Sequence, residues 1–145
     1  MKLVVDANIL FSFFRDNPVR FIILNSSSFN LQLFSPAHVL DELNNNIPDL
    51  VKYTKLSSSK VKSLIGVLKE YMSIIPSSEY KEFESKVKQL SPHRSDKDIP
   101  YFALALKLDC AIWSNEPSFK QQSKVEILNT KELKEILNFS ESSLT

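Results

Sequence analysis

The chain has 145 residues, of which 43% are hydrophobic and 24% charged, and this length favours one domain with its own core and excludes two. The lone Cys110 excludes an internal disulfide, and we expect a buried, inert thiol in a cytoplasmic protein. The net charge is +1, no apolar run reaches the roughly 18 to 20 residues of a membrane span, and the N-terminus lacks a signal-peptide pattern, so we expect a soluble, non-secreted protein.

The first predicted element is a strand over residues 2–5, which are β-branched and apolar and are typical of a strand buried on both faces. This strand ends at Asp6, and Asn8 follows before the apolar residues of a helix over 9–14. Asp6 and Asn8 are therefore expected to point outward from the carboxyl edge of a sheet. The alternative role for Asp6 is to cap this helix.

A short helix over residues 19–24 and an alternating strand over residues 29–34 come next. Ser35 as a helix cap and Pro36 at the first helical position then predict another helix. Glu42 borders the apolar face of that helix and can face the sheet edge, although a solvated surface glutamate is the alternative. We expect His38 to lie on the helix surface and not to bind a ligand.

The middle of the chain is basic. Residues 52–97 hold ten Lys or Arg against five acids, whereas the rest of the chain holds eight against twelve. We call residues 52–97 the basic arm, and its pattern predicts a helix over 61–72, a strand over 73–76 and a helix over 80–90. Either the basic arm is a solvated surface, or it contacts an anion such as a nucleic-acid backbone, for which Arg94 is a candidate.

Acidic and polar side chains surround a buried helix near the end of the chain. Asp96 and Asp98 stand just before Pro100, which suits a first helical turn, and the apolar run over 99–108 predicts a buried helix. A short strand over 111–113 follows and ends at three polar residues, Ser114, Asn115 and Glu116. In open α/β sheets, the carboxyl ends of the strands form the ligand-binding edge.

A last strand over 125–128 and a helix capped by Thr130 complete the pattern, so we expect a single domain over residues 1–139 and a frayed tail over 140–145. Short apolar strands that alternate with helices predict a parallel sheet covered on both faces, a three-layer α/β fold. In that fold, elements distant in sequence each bring a carboxylate to one edge of the sheet.

Gathered carboxylates need a counter-charge, because two unit charges about 4 Å apart repel by about 4 kcal/mol at an effective dielectric of about 20. Oxygen ligands with open positions suit Mg²⁺ or Mn²⁺, and one or two such ions can activate water for phosphodiester hydrolysis. The sequence has no Cys or His cluster for zinc, no nucleophilic serine elbow and no glycine-rich phosphate loop.

Four segments of the chain together carry a family resemblance: V-V-D-A-N-I-L, S-P-A-H-V-L-D-E-L, D-K-D-I-P-Y-F-A-L-A-L and I-W-S-N-E. In this order they resemble the PIN domain family, especially its small stand-alone archaeal members and the VapC-type toxin nucleases. The resemblance implies a five-stranded parallel sheet of order 3-2-1-4-5. It also implies a Mg²⁺- or Mn²⁺-dependent ribonuclease, frequently a homodimer, with a small antitoxin protein as a possible partner.

The resemblance also assigns residues. The family's first aspartate corresponds to Asp6, its helix glutamate to Glu42 and its third acid to Asp98, with Asp96 beside it and Asn8 as the polar helper. The fourth acid is usually an aspartate, and here it is Glu116, one methylene longer, which puts the placement of a second metal in question.

The sequence thus predicts a cytoplasmic endoribonuclease that acts on RNA, with Asp6, Glu42, Asp98 and Glu116 as catalytic metal ligands and Asp96 as a further candidate ligand. The residues expected to position substrate or water are Asn8, Ser114, Asn115 and Arg94. One alternative is a non-catalytic RNA-binding or scaffold module that keeps the acidic edge. Another is a phospho-accepting receiver, which lacks support because no paired acids follow the first strand.

Overall fold

The computed structural model of the chain describes residues 1–91 and 94–138. Its five strands are β1 (Lys2–Val5), β2 (Gln32–Pro36), β3 (Ser73–Ile75), β4 (Ala111–Trp113) and β5 (Ile127–Leu128). Its α-helices are α1 (Ala7–Ser12), α2 (Pro18–Leu24), α3 (His38–Asn45), α4 (Ile47–Thr54), α5 (Ser58–Glu70), α6 (Glu84–Leu90), α7 (Ile99–Leu108) and α8 (Thr130–Ile136). Short 3₁₀ turns lie at Ser77–Glu79, Lys81–Phe83 and Pro117–Lys120.

All five strands form one parallel sheet in the order β3-β2-β1-β4-β5, as predicted. The central strand β1 pairs Leu3 with Leu33 of β2 on one side and with Ala111 of β4 on the other. Its three apolar residues are completely buried, which explains why the strand is a continuous apolar run and does not alternate. Because every strand is parallel, all carboxyl ends meet at a single edge of the sheet.

Helix α7 packs on three strands of this sheet, β1, β2 and β4. Six of its ten residues are buried, in agreement with the nearly unbroken apolar run in the sequence. Pro100 sits in the first turn, where its missing N–H costs nothing, and Asp109 ends the helix in the left-handed region at φ 51°. This helix therefore carries Asp98, at its N-terminal end, to the carboxyl edge of the sheet.

The second strand begins three residues later than predicted. Residues 29–31 form a turn, because Asn30 adopts φ 57° and the Leu31 N–H donates to the carbonyl of Ser26 at 2.8 Å. The alternation of apolar and polar residues over 29–34 therefore includes turn residues that only resemble a strand. Asparagine tolerates the left-handed region better than most residues do, which is why the turn forms there.

The prediction that Ser35 and Pro36 open a helix was wrong. Both residues belong to β2, and the Ser35 hydroxyl donates to the Val5 carbonyl of the neighbouring strand at 3.0 Å. Helix α3 begins at His38 and ends at Asn45, so Ile47 starts a separate helix, α4, which the sequence analysis did not predict.

Several other boundaries differ as well; the first helix, predicted over 9–14, is α1 at Ala7–Ser12. The predicted helix over 80–90 is a 3₁₀ turn followed by α6, and β5 has two residues in place of four. Asn129 caps α8, not Thr130, because the Asn129 side chain accepts from the Glu132 N–H while the Glu132 carboxylate accepts from the Asn129 N–H. The predicted tail over 140–145 lies outside the described residues.

Within the described part of the chain, no helix combines the length and apolar character needed to cross a membrane.

Candidate active site

Asp6 stands at the centre of the carboxyl edge, directly after β1. Its backbone N–H donates to the Trp113 carbonyl at 3.0 Å, which fixes the end of β1 against β4. Its side chain does not cap α1, although Asp6 occupies the cap position, so the capping alternative does not account for it. Instead, the Asp6 Oδ2 accepts a hydrogen bond from the Ser114 hydroxyl at 2.8 Å. The carboxylate is thus held in place by a residue that follows the adjacent strand.

Burial raises the pKa of Asp6 from its ordinary value of 3.8 to about 6. The Ser114 hydrogen bond opposes this change, whereas the negative charges of Asp98 and Glu42 add to it. Asp6 is only 5% exposed, so water solvates its charge poorly. An acid with these surroundings gains from a nearby positive charge, and perturbed acids of this kind are frequent at functional sites.

A cleft of about 220 Å³ lies in front of Asp6. We call it the acidic cleft, because four carboxylates line it: Asp6, Glu42, Asp98 and Glu116. The other residues that line it are Ala7, Asn8, Lys97, Tyr101, Ser118 and Phe119. The four acids come from the end of β1, from α3, from the start of α7 and from the segment after β4. The structure therefore brings together the four residues that the sequence predicted as catalytic, with Asn8 beside them.

Two side chains lie close to the Glu42 carboxylate on its side of the acidic cleft. His38, one helical turn earlier, places Nε2 2.6 Å from the Glu42 Oε1, and the Tyr101 hydroxyl lies 3.5 Å from the same oxygen. The rings of His38 and Tyr101 meet edge to face at 5.2 Å. Burial, and then the charges of Glu42 and Asp6, raise the pKa of Tyr101, so its hydroxyl stays protonated and acts as a donor.

Glu116 has a different environment at the other end of the acidic cleft. Its Oε1 accepts from the Ser118 N–H at 3.3 Å and so caps the following 3₁₀ turn. Its own backbone N–H donates to the Ser114 hydroxyl oxygen at 3.1 Å. Ser114 therefore joins Glu116 to Asp6, since one hydroxyl accepts from the first residue and donates to the second. The Ser114 hydroxyl thus holds the Asp6 carboxylate and the Glu116 backbone in position.

Besides the buried Ser114, three predicted site residues do not line the acidic cleft. Asp96 is exposed and does not line the cleft, although it is only two residues from Asp98. Asn115 is exposed, and its side-chain oxygen accepts from the Thr130 N–H at the start of α8. Arg94 lines a neighbouring pocket and not the acidic cleft itself.

The donors in the acidic cleft are carboxylate and amide oxygens, which are the ligands that Mg²⁺ and Mn²⁺ prefer. Among the residues that the structure describes, however, no three His, Cys, Asp or Glu side chains converge as a metal-binding group. Glu42 lies against His38, and Glu116 accepts a hydrogen bond from the Ser118 N–H. The donor set fits a hard divalent cation in chemistry, and binding would require these two glutamates to exchange their protein partners for the ion.

The sequence analysis missed three residues that line or support the acidic cleft. His38 was assigned to the helix surface, yet its spacing of four from Glu42 is the spacing at which helical side chains meet. Tyr101 follows Asp98 by three residues, so the same helical argument could have placed it in the cleft. Lys97 lines the cleft as well and was treated only as part of the basic arm.

Comparisons with known proteins agree with this architecture. The family model described as the PIN domain matches residues 4–138, whereas no curated protein sequence matches the chain significantly. The fold is similar to three solved structures, each of which covers 89% of this chain. They are VapBC2 from Rickettsia felis bound to a DNA fragment from their promoter (TM-score 0.66, 15% identity, 98% of that chain), VapBC-1 from nontypeable Haemophilus influenzae (0.62, 16%, 98%) and FitAcB from Neisseria gonorrhoeae (0.64, 15%, 97%).

At these identities the structural likeness shows the fold, and the family assignment rests on the match to the family model, which spans nearly the whole chain. This match confirms the resemblance seen in the sequence motifs. The chain belongs to the PIN domain family, whose members are generally nucleases.

Proposed function

We propose that the protein is a divalent-metal-dependent endoribonuclease that hydrolyses RNA phosphodiesters. The observation that supports this proposal most strongly is the acidic cleft, where four acids from four separate elements line one edge of a parallel sheet. A fold does not need such a costly arrangement, because like charges destabilise one another unless a cation compensates them. Membership of the PIN domain family, whose members are generally nucleases, supports a divalent cation as the counter-charge and RNA as the substrate in this proposal.

In this proposal Asp6, Glu42 and Asp98 hold Mg²⁺ or Mn²⁺, directly or through water, and Glu116 supports them. A bound divalent cation would supply positive charge that activates water and neutralises charge on the phosphodiester. Ser114 keeps Asp6 in position through the 2.8 Å hydrogen bond. Asn8, which lines the acidic cleft and is exposed, would orient water or a phosphate oxygen.

Partners and location are parts of the same proposal. The fold is similar to that of VapBC2 and VapBC-1, and this similarity supports a VapC-type toxin with a small antitoxin protein as its partner. A homodimer is proposed from the family resemblance. We further propose a cytoplasmic location, where RNA and Mg²⁺ are both available. An RNA-processing nuclease without an antitoxin would use the same acidic cleft.

A cleavage assay tests the proposed activity. The purified protein is incubated with end-labelled single-stranded RNA and with a structured hairpin, in Mn²⁺, in Mg²⁺ and in EDTA. We expect fragments in the presence of either metal and intact RNA in EDTA. Intact RNA under every condition would contradict the proposed activity, as would cleavage at the same rate in EDTA.

A second candidate is a non-catalytic RNA-binding module, and one observation favours it. Glu42 and Glu116 are engaged by His38 and Ser118, and no three acids converge as a metal-binding group in the described part of the chain. This candidate predicts RNA binding that neither Mn²⁺ nor EDTA changes, without cleavage. The ribonuclease proposal predicts tighter RNA binding in the presence of the metal.

A further inference from the structure

Arg94 lies against two aromatic rings that belong to different elements. Its guanidinium carbon is 4.4 Å from the ring centre of Phe102, on α7, and 5.3 Å from that of Phe119, in the 3₁₀ turn after Glu116. The Nη1 donates to the Ser118 carbonyl at 3.3 Å. Because stacking and this hydrogen bond fix the plane of the guanidinium, its remaining N–H groups have fixed directions.

No carboxylate among the described residues forms a salt bridge with this cation. Its buried Nε likewise has no hydrogen-bond partner among these residues. Removing a guanidinium N–H from water without an acceptor is costly, and an anion that binds the guanidinium would offset this cost. The planar fork of arginine matches the oxygens of a phosphate better than a single point charge does.

The pocket beside Arg94 has a volume of about 410 Å³ and adjoins the acidic cleft. We call it the Arg94 pocket; Ser91, Ser95 and Gln121 line it with neutral polar groups. Asp98 and Ser118 line both the Arg94 pocket and the acidic cleft. A ligand that extends from one to the other therefore crosses only the wall that these two residues share.

We propose that the Arg94 pocket binds the RNA phosphate next to the one that is cleaved, an inference that rests on the proposed ribonuclease function. Successive phosphates of a single strand are joined by one ribose, so a strand whose scissile phosphate lies in the acidic cleft brings its neighbour to an adjoining pocket. The negative charge of that neighbour pairs with Arg94, whereas the acidic cleft alone would repel it. Arg94 thus places the strand relative to the carboxylates.

Fluorescence anisotropy with a labelled single-stranded RNA tests this inference, in EDTA and again with Ca²⁺. Arg94→Gln removes the charge and keeps a planar amide over the rings, and we expect it to weaken binding by about tenfold, as loss of a charge-assisted hydrogen bond should. The dependence of log K on log salt should become shallower by about 0.7, the value for one lost phosphate contact on a single strand.

Arg20→Gln is the matched control. The Arg20 Nε donates to the Phe13 carbonyl at 2.8 Å, and its guanidinium lies 5.9 Å from the Phe13 ring centre, so it is also a stacked arginine, but it does not line either the Arg94 pocket or the acidic cleft. We expect Arg20→Gln to leave the affinity and its salt dependence unchanged. The melting temperature of each variant shows whether it folds, and Arg94→Lys, which restores the charge, should recover part of the affinity.

A substrate with a single neutral methylphosphonate linkage decides which phosphate Arg94 contacts. The neutral linkage is moved along the strand one position at a time. At one position it should weaken binding to the wild-type protein but leave the affinity of Arg94→Gln unchanged. Unchanged affinity in Arg94→Gln would overturn the inference and leave a structural role, or an acidic protein partner, for Arg94. Failure to cleave RNA would overturn only the proposed function, because the binding measurement does not depend on cleavage.

Discussion

Asp6 shows how one residue can weaken the fold and serve the site at the same time. Its side chain is almost completely buried, and the Ser114 hydroxyl donates a hydrogen bond that supports its charge. The sequence predicts its position, because an aspartate directly after a buried strand in a parallel sheet must lie at the carboxyl edge. The sequence does not predict its contact with Ser114, because residues 108 apart meet only through the pairing of β1 with β4.

Asp6→Asn should therefore stabilise the metal-free protein at neutral pH. Between pH 4 and 6 the folded state keeps a proton that the unfolded chain releases, so the free energy of unfolding falls as the pH rises through this range. Above pH 6 the full cost is present, about 3 kcal/mol, since one pKa unit corresponds to about 1.4 kcal/mol. Urea unfolding in EDTA at pH 7.5 and pH 4 measures the difference between variant and wild type, which should shrink at the lower pH.

Asp96→Asn is the control for this measurement, because Asp96 is exposed and outside the acidic cleft. Its free energy of unfolding should follow that of the wild type at both pH values. If Asp6→Asn is no more stable than the wild type at pH 7.5, the burial of an uncompensated charge at this position is refuted.

The elements around the site differ in how well the sequence predicts them. Strands β1 and β4 and helix α7 are apolar runs, each followed by a polar or charged residue, so the local pattern is sufficient to predict them. The bounds of β2 are not predictable in this way, because its start depends on the left-handed turn at Asn30 and its end on the Ser35 contact with β1. Helix α4 was missed because the apolar arc of α3 continues to Ile47, across the break at Asn46.

The contact of Asn115 with α8 is likewise not predictable from local pattern. The substrate-positioning role predicted for Asn115 from the sequence can be tested. Its side chain accepts from the Thr130 N–H at the start of α8, so Asn115→Ala should lower the free energy of unfolding by about 0.5–1 kcal/mol, as loss of a helix cap does. Asn115→Asp keeps the acceptor and should recover most of that loss. We expect both variants to keep the wild-type rate of RNA cleavage. A large loss of cleavage in Asn115→Ala with normal stability would instead support the substrate-positioning role.

At the scale of the whole molecule, charge is divided between the basic arm and an acidic remainder. The topology brings four acids of this chain to one edge of the sheet. Arg94, which belongs to the basic arm, lines the pocket beside them. The sequence predicts this arrangement because a parallel sheet collects the ends of its strands at one edge. Pocket shapes and the conformations of Glu42 and Glu116 depend on packing between distant segments, so they become visible only in the structure.

Metal binding should stabilise the whole fold. At a hundredfold excess of Mn²⁺ over its Kd, binding contributes about 2.7 kcal/mol. For a domain of this size, that corresponds to a rise in melting temperature of about 5–10 °C. Differential scanning calorimetry in Mn²⁺ and in EDTA, with NaCl at matched ionic strength, measures this rise. Asp6→Asn should show a smaller rise, and equal melting temperatures of the wild type in Mn²⁺ and EDTA would argue against a metal site.

The central claim is that the acidic cleft performs Mn²⁺-dependent RNA cleavage, and two aspartates in one short segment test it most directly. Asp98 lines the acidic cleft, whereas Asp96 is exposed outside it, so Asp98→Asn and Asp96→Asn make the same chemical change inside and outside the site. The measurement is the initial rate of cleavage of a single-stranded RNA in Mn²⁺. The account predicts a loss of at least about 100-fold for Asp98→Asn, because a charged ligand and its charge compensation are removed, and a rate close to that of the wild type for Asp96→Asn. Equal rates for Asp98→Asn and the wild type would contradict it.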